Sequence, residues 1–565
     1  MKTSTLRSSA IFCALLLCSA MAFGTTVITI VNNNAPGVGF NDPTPIAPVG
    51  GNPGTTLGQQ RLNAFQHAAD IWGATLDSTA PVRIRAAFVP LSCNATSAVL
   101  GSAGTTFIFA DFPGELFPGT LHGAALTGKR YGADPLAPNQ QHISANFNVN
   151  LGNPGCLTGV GWYLGFDNNH GTQIDLVTVL EHEFAHGLGF QQFASITTGA
   201  LFAGLPDVYN HYLFDTTLNK TWPEMTNAER AFSTLNSRRL VWNGAKVTTA
   251  LPAVLAPGVP VVRIDSPAGI VGAYSVGLAQ FGPLPSTPGV SGNVVQALDA
   301  ADAAGPSTKD GCGPILNAGA VAGNIAIIDR GTCGFVVKAK NAQNAGAVGV
   351  IIADNAAGSP PAGMAGVDPT VTIPAVRVTL GDGNLIKANL GAGVHASITL
   401  DLSIVAGADV NGHAQMNAPN PLVSGSSVSH WDPIAFPNQL MEPNISGDLT
   451  HSVQPPQDLT LPEMRDVGWY PDADLDRVAD DGDDQCLGSD LSGVVTIGGI
   501  DTGVPNTFFT NGCSIADLVN KCSVGAANHG DYVSCAAHLT DSLRDAGFLS
   551  NQQRSAIQSA AARNK

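Results

Sequence analysis

The stretch EHEFAHGLGF, residues 181–190, narrows the folds open to this chain more than any other. His182 and His186 stand four residues apart with Glu183 beside the first. On a helix that spacing projects both imidazoles from one side, with the carboxyl next to them. Leu176, Val179, Leu180, Phe184 and Leu188 give the same helix apolar faces, so it must be a core element packed on a sheet. Asp175 stands where its N-cap belongs. Random placement of 13 His and 7 Glu over 565 residues yields only about 0.004 matches to HExxH, so the spacing is read as chemistry. Two imidazoles so placed are ligands for zinc, and Glu183 is the general base and acid for hydrolysis by a metal-activated water.

An open catalytic zinc site has three protein ligands, so a third is required. Gly187 and Gly189 are expected to release the chain from the helix in a left-handed turn. Gln192 lies where one large group of zinc proteases has a third histidine, and an amide oxygen is a poor zinc ligand. The residues themselves leave Asp207, His211, Glu224, Glu229, His413, His430 and His451 open as candidates.

EHEFAHGLGF, SHWD at 429–432, NQLMEP at 438–443 and LTLPEMRDVGWY at 459–470 together resemble the leishmanolysin-like branch of the metzincin zinc proteases. The resemblance implies that His430 is the third zinc ligand, that Met441 packs beneath the metal without ligating it, and that the substrates are proteins or peptides. Two features depart from the family. More than 240 residues separate His186 from His430, and no cysteine-bearing propeptide precedes the first strand.

Those intervening residues change texture. From 253 to 404 the chain is rich in Gly, Ala, Val and Pro, and short apolar strands such as NIAIIDRG and VGVIIADN flank a helical FVVKAKNAQNAGA. The order of strand, Arg-Gly-x-Cys, Phe-bearing helix, apolar strand and Ile-Pro resembles a protease-associated (PA) domain. That resemblance implies substrate or partner binding and access control, with Cys333 in a disulfide and Arg330 structural. Closure entropy grows slowly with loop length, so an insert is tolerated if its ends meet at the surface. Deleting residues 255–402 is then expected to alter substrate choice more than zinc binding or the chemistry.

DADLDRVADDGDDQC, residues 472–486, spaces carboxylates as hard oxygen ligands for calcium, with Asp472, Asp474, Asp476 and Asp480 as the candidates. It resembles a thrombospondin type 3 repeat, with Arg477 where glycine is expected. The formal charge of −17 repels phosphate backbones and excludes nucleic acid as a partner. Residues 1–22 read as a secretory signal, and no later stretch reads as a membrane span. Eight cysteines remain after it, an even number in an oxidising compartment. Nearest-neighbour pairing joins Cys93 to Cys156 and Cys312 to Cys333, with two further bonds among Cys486, Cys513, Cys522 and Cys535.

The expected class is therefore α+β and multidomain. A metzincin-like zinc protease lobe, a mixed sheet plus the active-site helix, spans 23–252 and 405–470. A β-rich α/β PA domain is inserted at 253–404, a calcium segment follows at 471–490, and a small disulfide-bonded helical module occupies 491–565. The expected activity is that of a secreted zinc endopeptidase. The rival reading is a secreted calcium-dependent binding or adhesion protein whose protease-like lobe is inactive.

Overall fold

The computed structural model describes residues 26–476, 478–480, 482 and 484–564. The signal sequence expected at 1–22 lies outside them, as do Arg477, Asp481 and Asp483. The first lobe runs β1 (Ile28–Asn32), α1 (Leu57–Thr75), β2 (Val82–Val89), β3 (Gly101–Thr105), α2 (Ala124–Tyr131), β4 (Ile143–Asn148) and α3 (Leu176–Leu188). Its sheet has the order β1-β2-β4-β3, with β1, β2 and β4 parallel and β3 antiparallel at the edge. Alternation in VRIRAAFV turns Val82, Ile84 and Ala86 to one buried face.

Thr56 caps α1 by accepting from Gln59 N, and the helix buries Ala64, Phe65, Ala68, Ala69 and Trp72 along one stripe. Leu62, off that stripe, is exposed. Phe65 meets Phe147 of β4 at 4.8 Å and Phe184 of α3 at 6.1 Å, so α1, the sheet and α3 share one core. Full burial of each such ring is worth about 1.5–3 kcal/mol relative to exposure.

The lobe is completed from both sides of the insert. Leu240–Trp242 pairs with Ala414–Gln415 in a four-stranded antiparallel sheet. Before the insert, α4 spans Ala245–Val254. After it comes a helix, Thr460–Val467, whose Asp466 accepts from Trp242 Nε1 at 2.9 Å and Lys246 N at 2.8 Å.

The insert opens on β5 (Pro257–Ser266), continues through β6 (Val290–Gln296), β7 (Ile325–Asp329), α5 (Phe335–Asn344), β8 (Gly349–Ala353), β9 (Ala375–Val378) and α6 (Leu380–Asn389), and closes on β10 (His395–Val405). Pro257 pairs with Val405, so the chain enters and leaves this unit side by side. Its strands form one eight-stranded sheet in the order β5-β10-β6-β7-β8-β9, flanked by Gly272–Ser275 and Gly277–Leu278. Two apolar clusters, one on each face, are separate from the core of the first lobe.

The helix at Thr460–Val467 is α7, and a last module follows with its own core. It contains the hairpin β11 (Val494–Ile497) and β12 (Ile500–Pro505) and the helices α8 (Ile515–Val524), α9 (His529–Asp545) and α10 (Asn551–Arg563). The disulfides are Cys93–Cys156, Cys312–Cys333, Cys486–Cys513 and Cys522–Cys535. Among the described residues no helix is long and apolar enough to cross a membrane.

Candidate metal centre

Asp175 Oδ1 accepts from Thr178 N at 2.9 Å and starts α3 where the sequence places its cap. The glycines that follow the two histidines act differently from expectation. Gly187 is still helical and Gly189 has the extended φ of 163°, so neither is left-handed. Gly187 is needed for close approach: a Cβ there would lie 2.5 Å from Ile143 Cγ2 on β4. Gly189 faces Val467 of α7, where a Cβ would meet Cγ2 at 3.2 Å.

His430 comes back across the fold to the pair on α3. One ligand nitrogen from each of His182, His186 and His430 lies within 4.8 Å of the others. Every Nδ1 faces a backbone carbonyl: His182 that of Leu440 at 2.7 Å, His186 that of Phe190 at 2.7 Å, His430 that of Ser426 at 2.9 Å. Each Nδ1 must therefore carry its proton and donate, which leaves three Nε2 lone pairs turned toward one another. His182 Nε2 and His430 Nε2 are 3.3 Å apart. Two lone pairs cannot form a hydrogen bond at that distance. Two nitrogens bound tetrahedrally at 2.0–2.1 Å from one zinc ion would be about 3.3 Å apart, so the spacing fits a shared cation. A proton is a poor substitute, because burial pushes His182 down to about 3 and His430 well below its ordinary value. The carbonyl partners are also the outer shell that fixes ring orientation in zinc sites.

Glu183 reaches toward the edge strand β3. A Cβ on Gly101 would stand 3.0 Å from its Cγ and 3.1 Å from its Oε1, so the small residues of GSAGT make room for this side chain. Burial pushes the Glu183 carboxyl up to about 8, and a hydrogen bond from the Ala103 backbone pulls it back toward the anion. A dication beside it would act in the same direction as Ala103, toward the form a base needs. Glu181 is a different case. Both its oxygens are buried without a hydrogen-bond partner among the described residues, and burial holds its carboxyl far above the usual range.

The segment after His430 supports the site from behind. Asp458 Oδ2 accepts from Leu440 N at 2.6 Å, which anchors the residue whose carbonyl holds His182. Met441 follows directly, is fully buried, and accepts Trp431 N on its carbonyl at 2.8 Å. Asp458 was not singled out from the sequence, since a lone Asp before a helix reads only as a cap.

The other candidate third ligands are engaged elsewhere. Asp207 accepts Phe193 N at 2.6 Å and His211 stacks on Phe117 at 4.0 Å. Glu224 and Glu229 close capping boxes with Thr221 and Thr226. His413 lies beside Asp409 and His451 donates to Asp175.

In the acidic segment, oxygens of Asp472, Asp474 and Asp476 lie within 4.8 Å of one another. Asp480 does not join those three; it groups with Asp474 and Asp484 instead. Burial is the main reason Asp476 is raised to about 6. Asp472 also pairs with Arg130 of α2 at 2.9 Å, with both side chains fully buried, which ties this segment to the first lobe.

Residues 290–386 match the PA domain family. ER degradation-enhancing alpha-mannosidase-like protein 3 of Homo sapiens is 51% identical over 51 residues, 9% of this chain and 6% of that protein. The minor extracellular protease Vpr of Bacillus subtilis (strain 168) is 35% identical over 71 residues, 13% and 8% of the two. The chain thus spans less than a tenth of either relative's length. Among solved structures, an aminopeptidase from Aneurinibacillus sp. strain AM-1 aligns with 23% identity and a TM-score of 0.20, over 26% of this chain and 31% of that one. A peptidase M28 precursor from Shewanella amazonensis SB2B aligns with 20% identity and a TM-score of 0.18, over 34% and 44%. Within the insert, the stretch from β6 into α6 is a PA domain.

Proposed function

We propose that this chain is a secreted zinc-dependent endopeptidase of the leishmanolysin-like metzincin type. The observation that carries the reading is the convergence of three proton-free Nε2 atoms, each ring fixed by a carbonyl on its far nitrogen. His182, His186 and His430 are the ligands. A zinc ion held there supplies Lewis acidity and makes water a nucleophile near neutral pH. Glu183 would take a proton from the attacking water and pass it to the leaving amine, and the Ala103 N–H favours its carboxylate before the first transfer and after the second. Burial of Glu183 and His182 keeps bulk water from competing for those protons. Met441 serves the site by position, through the turn that presents the Leu440 carbonyl to His182.

The PA domain binds protein substrate or a partner protein, and Asp472, Asp474, Asp476 and Asp480 belong to a calcium segment that Asp484 extends. Four disulfides support an oxidising, extracellular destination.

The test is metal content together with casein cleavage, in the parent and in Glu183→Gln. The expected result is one zinc per chain in both, with cleavage lost only in the variant. A parent that holds stoichiometric zinc yet cleaves nothing that the variant spares would favour the calcium-dependent binding protein instead.

A further inference from the structure

The insert touches the first lobe at a second place besides the paired ends at Pro257 and Val405. Ser359 N donates to Asn420 O at 2.8 Å and Asn420 N donates back to Ser359 O at 2.6 Å, an isolated antiparallel bridge. Ser359 sits on the loop that follows β8. That loop is firmly rooted in the PA domain. At one end Asp354 is held by Arg330 and Arg377, and its Oδ1 accepts from the amides of Asn355 and Ala356. At the other, Met364 N bonds Leu278 O at 2.8 Å and Met364 O accepts from Gln280 N at 2.9 Å. A displacement of the PA body therefore carries Ser359 with it.

Asn420 sits on a loop whose base is built around His430. Asn417 N donates to His430 O, and Val428 N to Asn417 O, each at 2.8 Å. Asn417 Nδ2 donates to Ser426 O at 3.1 Å, and that same carbonyl receives the Nδ1 proton of His430. Hydrogen bonds thus tie the insert to Asn420 and tie Asn417 to the imidazole through the Ser426 carbonyl, and the chain from 417 to 420 joins the two. His182 and His186, by contrast, ride on α3, and their carbonyl partners Leu440 and Phe190 lie outside this loop.

Resting on the zinc reading above, the geometry points to the Ser359–Asn420 junction as a positioning device for the third ligand. A polypeptide that draws the PA domain away from the lobe opens the junction, frees the Ser426 carbonyl and loosens His430 from the metal. The PA domain then regulates the centre itself as well as access to it.

Ser359→Pro in the full chain removes the donor to Asn420 and leaves every residue of the first lobe unchanged. Zinc release to a chelator and hydrogen exchange of residues 423–431 in the metal-free chain are measured together. Outer-shell losses typically cost 10–100-fold in metal affinity, so zinc release should speed up by about tenfold and exchange of 423–431 should rise. Ala357→Pro, in the exposed part of the same loop, should match the parent in both. Parent-like zinc release and exchange in Ser359→Pro would overturn the inference. If the parent itself takes up no zinc, the metal reading falls, and the exchange of 423–431 alone decides whether the junction steadies this loop. If Ser359→Pro does not fold, the pair Ser359→Cys and Asn420→Cys decides. The oxidised cross-link should slow zinc release and lower exchange relative to its reduced form, and equality of the two forms would refute the coupling.

Discussion

Replacing Gly187 with alanine sets helix propensity against overlap at the contact that brings α3 onto β4. Propensity favours alanine by about 1 kcal/mol in a helix interior. Overlap acts the other way, since the new Cβ would lie 2.5 Å from Ile143 Cγ2 and 2.8 Å from its Cγ1 and Cδ1. Ile143 is fully buried and β-branched, so its side chain has no free rotamer to escape into. Overpacking costs about 1–3 kcal/mol, and three carbons inside 3.0 Å justify the upper end, which leaves a net loss of about 2 kcal/mol. All six tryptophans, Trp72, Trp162, Trp222, Trp242, Trp431 and Trp469, lie in the first lobe, so urea unfolding followed by their fluorescence reads that lobe alone. With a slope of about 3 kcal/mol/M, the midpoint should fall by about 0.7 M. Ile143→Ala alone should cost about 2–5 kcal/mol through its cavity. In the double variant the new methyl fills part of that cavity, so the combined cost should fall short of the sum by about 1–2 kcal/mol. A Gly187→Ala chain more stable than the parent, or costs additive within about 0.5 kcal/mol, would refute the close-approach account.

Gly101→Ala pushes the Glu183 side chain off β3, and a shift of that order costs about 100-fold in turnover with zinc content unchanged, as kinetics and metal analysis would show. His122 is buried and held down to about 4, chiefly by desolvation, so it folds as the neutral ring. Its contribution is fully present above its unfolded value of 6.5 and is lost as pH falls toward 4, about 3 kcal/mol in all. His122→Asn should flatten the pH dependence of the urea midpoint across that window. Calcium removal should speed proteolytic nicking between residues 471 and 490, and Asp476→Asn should be cut at that faster rate with or without calcium.

Local pattern made α3 legible: the HExxH spacing, the apolar faces and the Asp175 cap all lie within 16 residues and agree with one another. The insert was legible for the same reason, since NIAIIDRG, FVVKAKNAQNAGA and VGVIIADN each carry their own period and became β7, α5 and β8. β3 was not, because GSAGT has no alternation and only one branched residue, Thr105. Its small side chains answer to Glu183 and Phe147, which arrive from elsewhere in the chain. The role of Gly187 was misread on the same account, since its partner Ile143 belongs to another element. The carbonyls of Leu440 and Ser426 were invisible because every residue has one, and only the fold selects which of them meets an imidazole. His182 and His430 stand 248 residues apart, a separation over which spacing carries no signal. Asp484 was passed over in favour of a regular Asp alternation, whereas burial and turns group the carboxylates in overlapping sets.

Zinc K-edge X-ray absorption on the zinc-loaded chain tests the three-histidine centre most directly. The account predicts three imidazole nitrogens and one or two oxygen scatterers at about 2.0–2.1 Å, falling to two imidazoles in His430→Ala. A spectrum with two imidazoles in the parent, or one that His430→Ala leaves unchanged, would contradict it.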